Sequence, residues 1–182
     1  MSKILVFLAE GFEEIEALSV VDLCRRAGIG VDTVAVSDQK TVTGSHGIPV
    51  LADVLFEEAD FDNADMLVLP GGMPGTKNLE ACEPLMQQLD AFYKAGKCVS
   101  AICAAPSIFG HRGYLQNRNA CSYPSFEKEL NGAKVSRESV EVSEHVTTSR
   151  GMGTAISFGL AIVERFCGGE KAQELAKAIV YG

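Results

Sequence analysis

The chain has 182 residues, 47% of them hydrophobic and 22% charged. That is an ordinary globular balance, with length enough to bury a core within one domain, 1–182. The net charge is −8, and no basic patch is denser than Arg25-Arg26, which argues against a nucleic-acid partner.

No apolar run approaches the roughly 20 residues that cross a bilayer. Ile4 to Ala9 is too short for the apolar centre of a signal peptide and runs at once into acid. The expectation is a cytoplasmic chain without membrane contact. Six cysteines, at 24, 82, 98, 103, 121 and 167, form no C-x-x-C pair, and only three histidines accompany them. A structural zinc site and a disulfide framework are both disfavoured. Most of these cysteines read as small buried hydrophobes in a reducing compartment.

Taken in order, the elements alternate strand and helix. Ile4 to Ala9 is a continuous apolar run, the pattern of a buried parallel strand. Glu13 to Ala27 switches to helical period, with Ile15, Leu18, Val20, Val21 and Leu23 assigned to its apolar face and Gly28 ending it. Val31 to Ser37 is a second strand. Thr41 to Ala52, with Gly44, Gly47 and Pro49, reads as a short hairpin. Asp65 to Leu69 is a third buried strand, stopped by Pro70-Gly71-Gly72.

Asn78 to Ala95 reads as one helix with Leu85, Leu89 and Phe92 inward. Cys98 to Ile102 is a strand, Ala104 to Phe109 a helix directly after it, and Phe126 to Leu130 a helical turn. Val140 to Val142 and His145 to Thr148 are short strands, and Gly153 to Phe166 and Glu170 to Val180 are closing helices. Such alternation implies a mostly parallel sheet covered on both faces, with ligands outside the carboxyl ends of its strands.

Three features fall at those ends. In Val99-Ser100-Ala101-Ile102-Cys103-Ala104-Ala105-Pro106 a strand runs straight into a helix with a thiol at the junction. Small residues two before and two after Cys103 suit a sharp nucleophile elbow. A helix N-terminus there lowers the thiol pKa. The pattern A-x-C-x-A is loose, and a packed core cysteine fits it equally.

The second feature is Glu10-Gly11-Phe12-Glu13-Glu14-Ile15-Glu16. Acids at a helix start are common dipole partners, so most of these carboxylates read as solvated. Glu16 lies near the buried face, where it could share a proton with Cys103 and act as general acid and base. The third is Pro70-Gly71-Gly72-Met73-Pro74-Gly75, which reads either as a plain turn or as a close-approaching backbone donor. With the N–H of Ala104 it would make an oxyanion hole. No G-x-G-x-x-G follows the first strand and no P-loop is present, so no cofactor is expected.

Jointly, A-E-G-F-E-E-I-E at 9–16, R-R-A-G-I at 25–29, V-L-P-G-G at 68–72, A-I-C-A-A-P at 101–106, T-S-R-G-M-G-T-A at 148–155 and L-A-I-V-E at 160–164 resemble the ThiJ/PfpI superfamily, in the branch of the Parkinson-disease protein deglycase. The resemblance implies a flavodoxin-like α/β sandwich, a homodimer, and Cys103 as reactive cysteine beside a protonated Glu16, with Gly72 and Ala104 as oxyanion donors. It implies action on methylglyoxal-type dicarbonyls or glycated proteins without metal or glutathione, together with redox sensing and chaperone-like protection. Gly71, Tyr123, Arg150, Met152 and His46 are further candidate pocket residues. Tyr123 stands where relatives carry His, His46 where Arg is frequent, and Met152 where Pro is frequent. The Arg of relatives at that place is one that reaches toward the partner's pocket, and whether His46 does so is left open by the sequence.

A phenol cannot replace imidazole as a base near neutral pH. Ala104 stands where proteolytic branches place His, which argues against a Cys-His-acid hydrolase. His111 is expected on an exposed loop and His145 at a turn or strand start. Arg150 fits either an anion or a structural ion pair. Two functions compete: a Cys103-dependent glyoxalase or deglycase, and a non-enzymatic redox sensor oxidised at Cys103.

Overall fold

A computed structural model describes residues 2–182. In chain order its strands and helices are β1 (Lys3–Leu8), α1 (Glu14–Arg26), β2 (Gly30–Ala35), β3 (Thr41–Thr43), β4 (Pro49–Leu51), β5 (Val54–Leu55), β6 (Met66–Leu69), α2 (Gly75–Ala81), α3 (Glu83–Lys94), β7 (Cys98–Ile102), α4 (Pro106–His111), β8 (Asn119–Ala120), β9 (Lys134–Val135), β10 (Val140–Ser143), β11 (Val146–Ser149), α5 (Ala155–Cys167) and α6 (Gly169–Ala178). Seven strands form one sheet in the order β10-β11-β7-β6-β1-β2-β5. All neighbours are parallel except β10 and β11.

The apolar runs are continuous because both faces of the sheet are covered. Ile4, Val6 and Leu8 of β1 point into one core with α1 and α5, while Leu5 and Phe7 point into another with α3 and α4. Met66 and Val68 of β6 join the first core, and Leu67 and Leu69 the second. This is the period-two division of a strand between two layers. The expected hairpin is β3 paired antiparallel with β4, Thr41 opposite Leu51.

After β2 and the hairpin, the chain returns to the other side of β1 to form β6. A crevice opens at such a reversal, outside the carboxyl ends of the strands. The β1–α1, β6–α2 and β7–α4 connections all lie there, and they carry the three sequence features.

Four expectations need correcting. Ile15 and Leu18 do not belong to the buried face of α1: they are 49% and 39% exposed. The buried stripe is Ala17, Val20, Val21 and Cys24, spaced i, i+3, i+4, i+7, with Glu16 and Leu23 on its flank. The helix expected over Asn78 to Ala95 is two, broken at Cys82 (ψ 89°). Pro84 is tolerated only in a first turn, so a new helix starts beside it. The helix after Cys103 starts later than expected, with Pro106 in its first turn. His111 is exposed as expected but not on a loop; it closes α4, held between Glu80 at 2.6 Å and Glu129 at 3.4 Å.

Short β5 and the β8–β9 pair have no counterpart in the sequence reading; each strand is two residues long, too short to show a period. Among the described residues, no helix is long and apolar enough to cross a membrane.

Candidate active site

Cys103 follows β7 in a left-handed backbone conformation, φ 66°. A non-glycine residue there is strained and needs surroundings that hold it. Its N–H donates to the carbonyl of Ser149 at 3.0 Å, continuing the β7–β11 ladder by one bond. Its own carbonyl accepts the N–H of Tyr123 at 2.8 Å. Ala101 and Ala105, the small flanks, are fully buried. The sharp turn is thus present, pinned from both sides.

Glu16 is 1% exposed. Its Oε2 accepts the N–H of Gly71 at 2.8 Å, while Oε1 is buried without a hydrogen-bond partner. The start of α1 is fixed by Glu13, whose Oε2 accepts the N–H of Glu16 at 2.7 Å as an N-cap. The N–H of Glu13 in turn donates to Gly71 at 2.9 Å.

The glycines bring these loops together. A Cβ on Gly71 would lie 2.6 Å from the Cβ of Cys103 and 2.8 Å from Glu16 Oε2. The thiol-bearing residue and the buried acid therefore face each other across a backbone with no room for a side chain. Gly72, at φ 88°, has a backbone N–H that favours the Cys103 thiolate, as does the N–H of Ala104. The sequence's Cys103, Glu16, Gly71, Gly72 and Ala104 all converge here.

Burial raises the Glu16 carboxyl to about 7, against the opposing N–H of Gly71 and the Cys103 thiol; the charge of Glu13 adds to the rise. Burial, and then the negative charge of Glu16, push the Cys103 thiol up to about 12. The lowering expected from a helix N-terminus is therefore overridden. The helix begins only at Pro106, and desolvation of a second anion beside a carboxylate outweighs the two N–H groups. Acid and thiol titrate as a pair, which carries one negative charge between about 7 and about 12.

The remaining candidates are placed around this centre. Tyr123 is tied to Cys103 through its backbone while its side chain is 50% exposed. The ring lies beside Gly151, where a Cβ would be 3.5 Å from Cδ2, in ordinary contact. Arg150 forms an ion pair with Glu127 at 3.6 Å, as one of its two sequence readings had it. Met152, 53% exposed, opens a 3-10 turn. His46 stands on the shoulder of the site, its Nδ1 3.0 Å from Glu14 Oε2.

Glu14 corrects the expectation that the neighbouring acids are solvated. It is 3% exposed and accepts the N–H of His46 at 2.8 Å. Its separation from His46 by 32 positions left no local signal. Glu13 could have been found, since an acid three residues before Glu16 fits an N-cap. Glu13, Glu14 and His46 are the one group among the described residues with three metal-ligating atoms within 4.8 Å. The carboxylate of Glu14 already holds the hairpin bearing His46, so these contacts are structural. Cys121 is fully buried, its Sγ 3.4 Å from the carbonyl of Thr148. His145 stands at the turn before β11, its ring 5.0 Å from that of Tyr93.

Known proteins resemble this chain over nearly all of its length. Identity is 36% to Protein dj-1beta of Drosophila melanogaster, over 97% of this chain and 95% of that protein. It is 32% to the Caenorhabditis elegans protein named glutathione-independent glyoxalase DJR-1.2, over 98% and 95%. Protein DJ-1 homolog B of Arabidopsis thaliana is 37% identical over 98% of this chain, which spans only 41% of that longer relative. The solved structure of oxidised Toxoplasma gondii DJ-1 superposes with a TM-score of 0.95 at 34% identity, over 100% of both chains. With residues 2–165 matching the model of the DJ-1/PfpI family as well, the chain belongs to the DJ-1/PfpI family.

Proposed function

We propose that the protein is a cofactor-free glyoxalase and deglycase in which Cys103 is the nucleophile and Glu16 the general acid and base. The observation that carries this reading is the convergence of Cys103 Cβ and Glu16 Oε2 on Gly71, 2.6 and 2.8 Å from where a Cβ there would stand. The relative named as a glutathione-independent glyoxalase supports the reaction class.

The reactive form has the proton on Glu16 and the charge on sulfur. The thiolate adds to the aldehyde carbon of a 2-oxoaldehyde, and the alkoxide takes the proton from Glu16 to give a hemithioacetal. The N–H groups of Gly72 and Ala104 stabilise that developing oxyanion. Glu16 then removes the proton from the former aldehyde carbon and returns it to the neighbouring carbonyl carbon through an enediol. The adduct becomes a thioester of a 2-hydroxy acid, and water hydrolyses it, restoring the thiol. Oxidation of one carbon is matched by reduction of its neighbour, so no external oxidant enters. A hemithioacetal or aminocarbinol on a glycated protein presents the same carbon to Cys103.

The test is consumption of methylglyoxal and release of lactate by the purified protein, with Cys103→Ala and Glu16→Gln. Loss of at least a hundredfold in each variant is expected. Equal consumption by Cys103→Ala would sink the reading.

A second reading is oxidation of Cys103 to a sulfinic acid held by the same N–H groups. The partly exposed thiol and the two backbone donors favour it. Mild peroxide should add two oxygens to Cys103 before any other cysteine, as read by mass spectrometry.

A further inference from the structure

The side chains around Cys103 say more about which carbonyl compound fits than about the chemistry. Tyr123 is fixed to Cys103 by a 2.8 Å bond from its N–H, so its position is set by the same turn that presents the sulfur. Only its backbone is held in that way; half of the residue faces solvent. The ring lies beside Gly151, its Cδ2 3.5 Å from where a Cβ there would stand. Met152 follows directly and is 53% exposed. On the other side, Met73 follows Gly72 and is 40% exposed. Three large apolar side chains thus stand exposed within one or two positions of backbone that forms or flanks the site, where a ligand at Cys103 could bury them.

Charge points the same way. The cation of this region, Arg150, is engaged by Glu127 at 3.6 Å. Glu13 caps α1, and Glu14 and Glu16 lie in its first turn. A neutral, flat substituent would meet an aromatic face and thioethers there.

We propose that Tyr123, with Met152, makes this site selective for neutral 2-oxoaldehydes that carry an aromatic substituent over those that carry a methyl group. The inference rests on the carbonyl reading of Cys103 and assigns Tyr123 to specificity, not to proton transfer.

The experiment has two arms. In the first, initial-rate kcat/KM is compared for phenylglyoxal and methylglyoxal in the intact protein, Tyr123→Phe, Tyr123→Ala and Met152→Ala. A preference of about tenfold for the aryl compound is expected, a size typical of one aromatic contact. It should survive Tyr123→Phe, fall to within about twofold of parity in Tyr123→Ala, and narrow in Met152→Ala.

The second arm needs no turnover. Cys103 is alkylated with phenacyl bromide or iodoacetamide, a carbon–sulfur bond forming as the halide leaves. Each rate is divided by that of exposed Cys167 in the same sample, by mass spectrometry. The aryl reagent should be favoured at Cys103 in the intact protein and in Tyr123→Phe, and not in Tyr123→Ala. Equal reactivity of the two reagents, or a preference indifferent to Tyr123→Ala, overturns the proposal. A Tyr123-dependent alkylation preference without turnover of either aldehyde would remove the glyoxalase reading and leave the selectivity standing.

Discussion

Gly71 donates its N–H to Glu16 Oε2 at 2.8 Å across 55 positions of sequence. Cys103 and the carbonyl of Ile102 crowd the same Cα. A methyl group on Gly71 would meet Cys103 Cβ at 2.6 Å, Glu16 Oε2 at 2.8 Å and the Ile102 carbonyl at 2.9 Å. Two of these belong to a pinned backbone turn and cannot swing aside. Gly71→Ala should therefore push Cys103 and Glu16 apart. Destabilisation of about 1–3 kcal/mol is expected, as for overpacking of a closed site, with a larger loss of Cys103 reactivity. Denaturant unfolding and alkylation rates, measured together, check it. Unchanged alkylation would show that the contact has room to relax.

Glu16 also sets a pH dependence of stability. Its carboxyl, ordinarily near 4.5, is raised to about 7 mainly by burial. A raised acid favours the fold in its protonated form. That contribution is complete below 4.5, where both folded and unfolded carboxyls are protonated, and is lost as pH rises through 7. At about 1.4 kcal/mol per tenfold change, the ionised fold is disfavoured by about 3 kcal/mol. Glu16→Gln keeps an oxygen for Gly71 and removes the charge. It should stabilise the protein at pH 8 by a few kcal/mol and make little difference at pH 4.5. Thermal melts at the two pH values give the comparison, and an equal effect at both would exclude ionisation as the cause.

The paired proton predicts how Cys103 reacts. If the charge of the singly ionised pair can reach sulfur, alkylation of Cys103 should climb as pH rises through about 7, where the pair loses its first proton. In Glu16→Gln no group is left to donate that charge, and burial still raises the thiol. Its alkylation should be slow at pH 7–8 and climb only above the ordinary thiol range. Iodoacetamide rates from pH 5 to 10 separate the cases. A profile for the intact protein that first climbs above pH 9 would place the charge on Glu16 throughout.

Much of this site was legible because it depends on local constraints. A buried parallel strand must be apolar throughout, so β1, β6 and β7 could be placed, and with them the strand ends. Small residues at 101 and 105 and the glycines at 71 and 72 signal close backbone approach. What was not legible depends on burial acting at a distance. The direction of the Cys103 shift turns on desolvation and on Glu16, neither of which follows from a thiol's place before a helix. Nothing local marks Glu14 as buried, because its partners Ser45 and His46 lie in the turn between β3 and β4. Hydrophobicity alone places Ile15 and Leu18 in the core. Helical phase puts them on the other side of α1, because the stripe through Ala17, Val20 and Cys24 already covers the sheet.

That exposed side of α1 supports the expectation of a homodimer. Ile15, Leu18, Ile48, Ile156, Ile179 and Val180 line a groove of about 660 Å³. Cys103 is not among its lining residues, but Glu14 is, so the groove runs up to the shoulder of the site. Each large apolar side chain removed from water contributes about 1.5–3 kcal/mol, and a two-fold contact uses each of them twice. A charge at the centre of such a contact is desolvated without a partner, at several kcal/mol. Leu18→Glu should therefore weaken self-association by at least a hundredfold and yield a monomer at micromolar concentration. Sedimentation velocity of both proteins tests this. An intact protein already monomeric at tens of micromolar, or a Leu18→Glu variant that stays dimeric, would show that copies do not meet through α1.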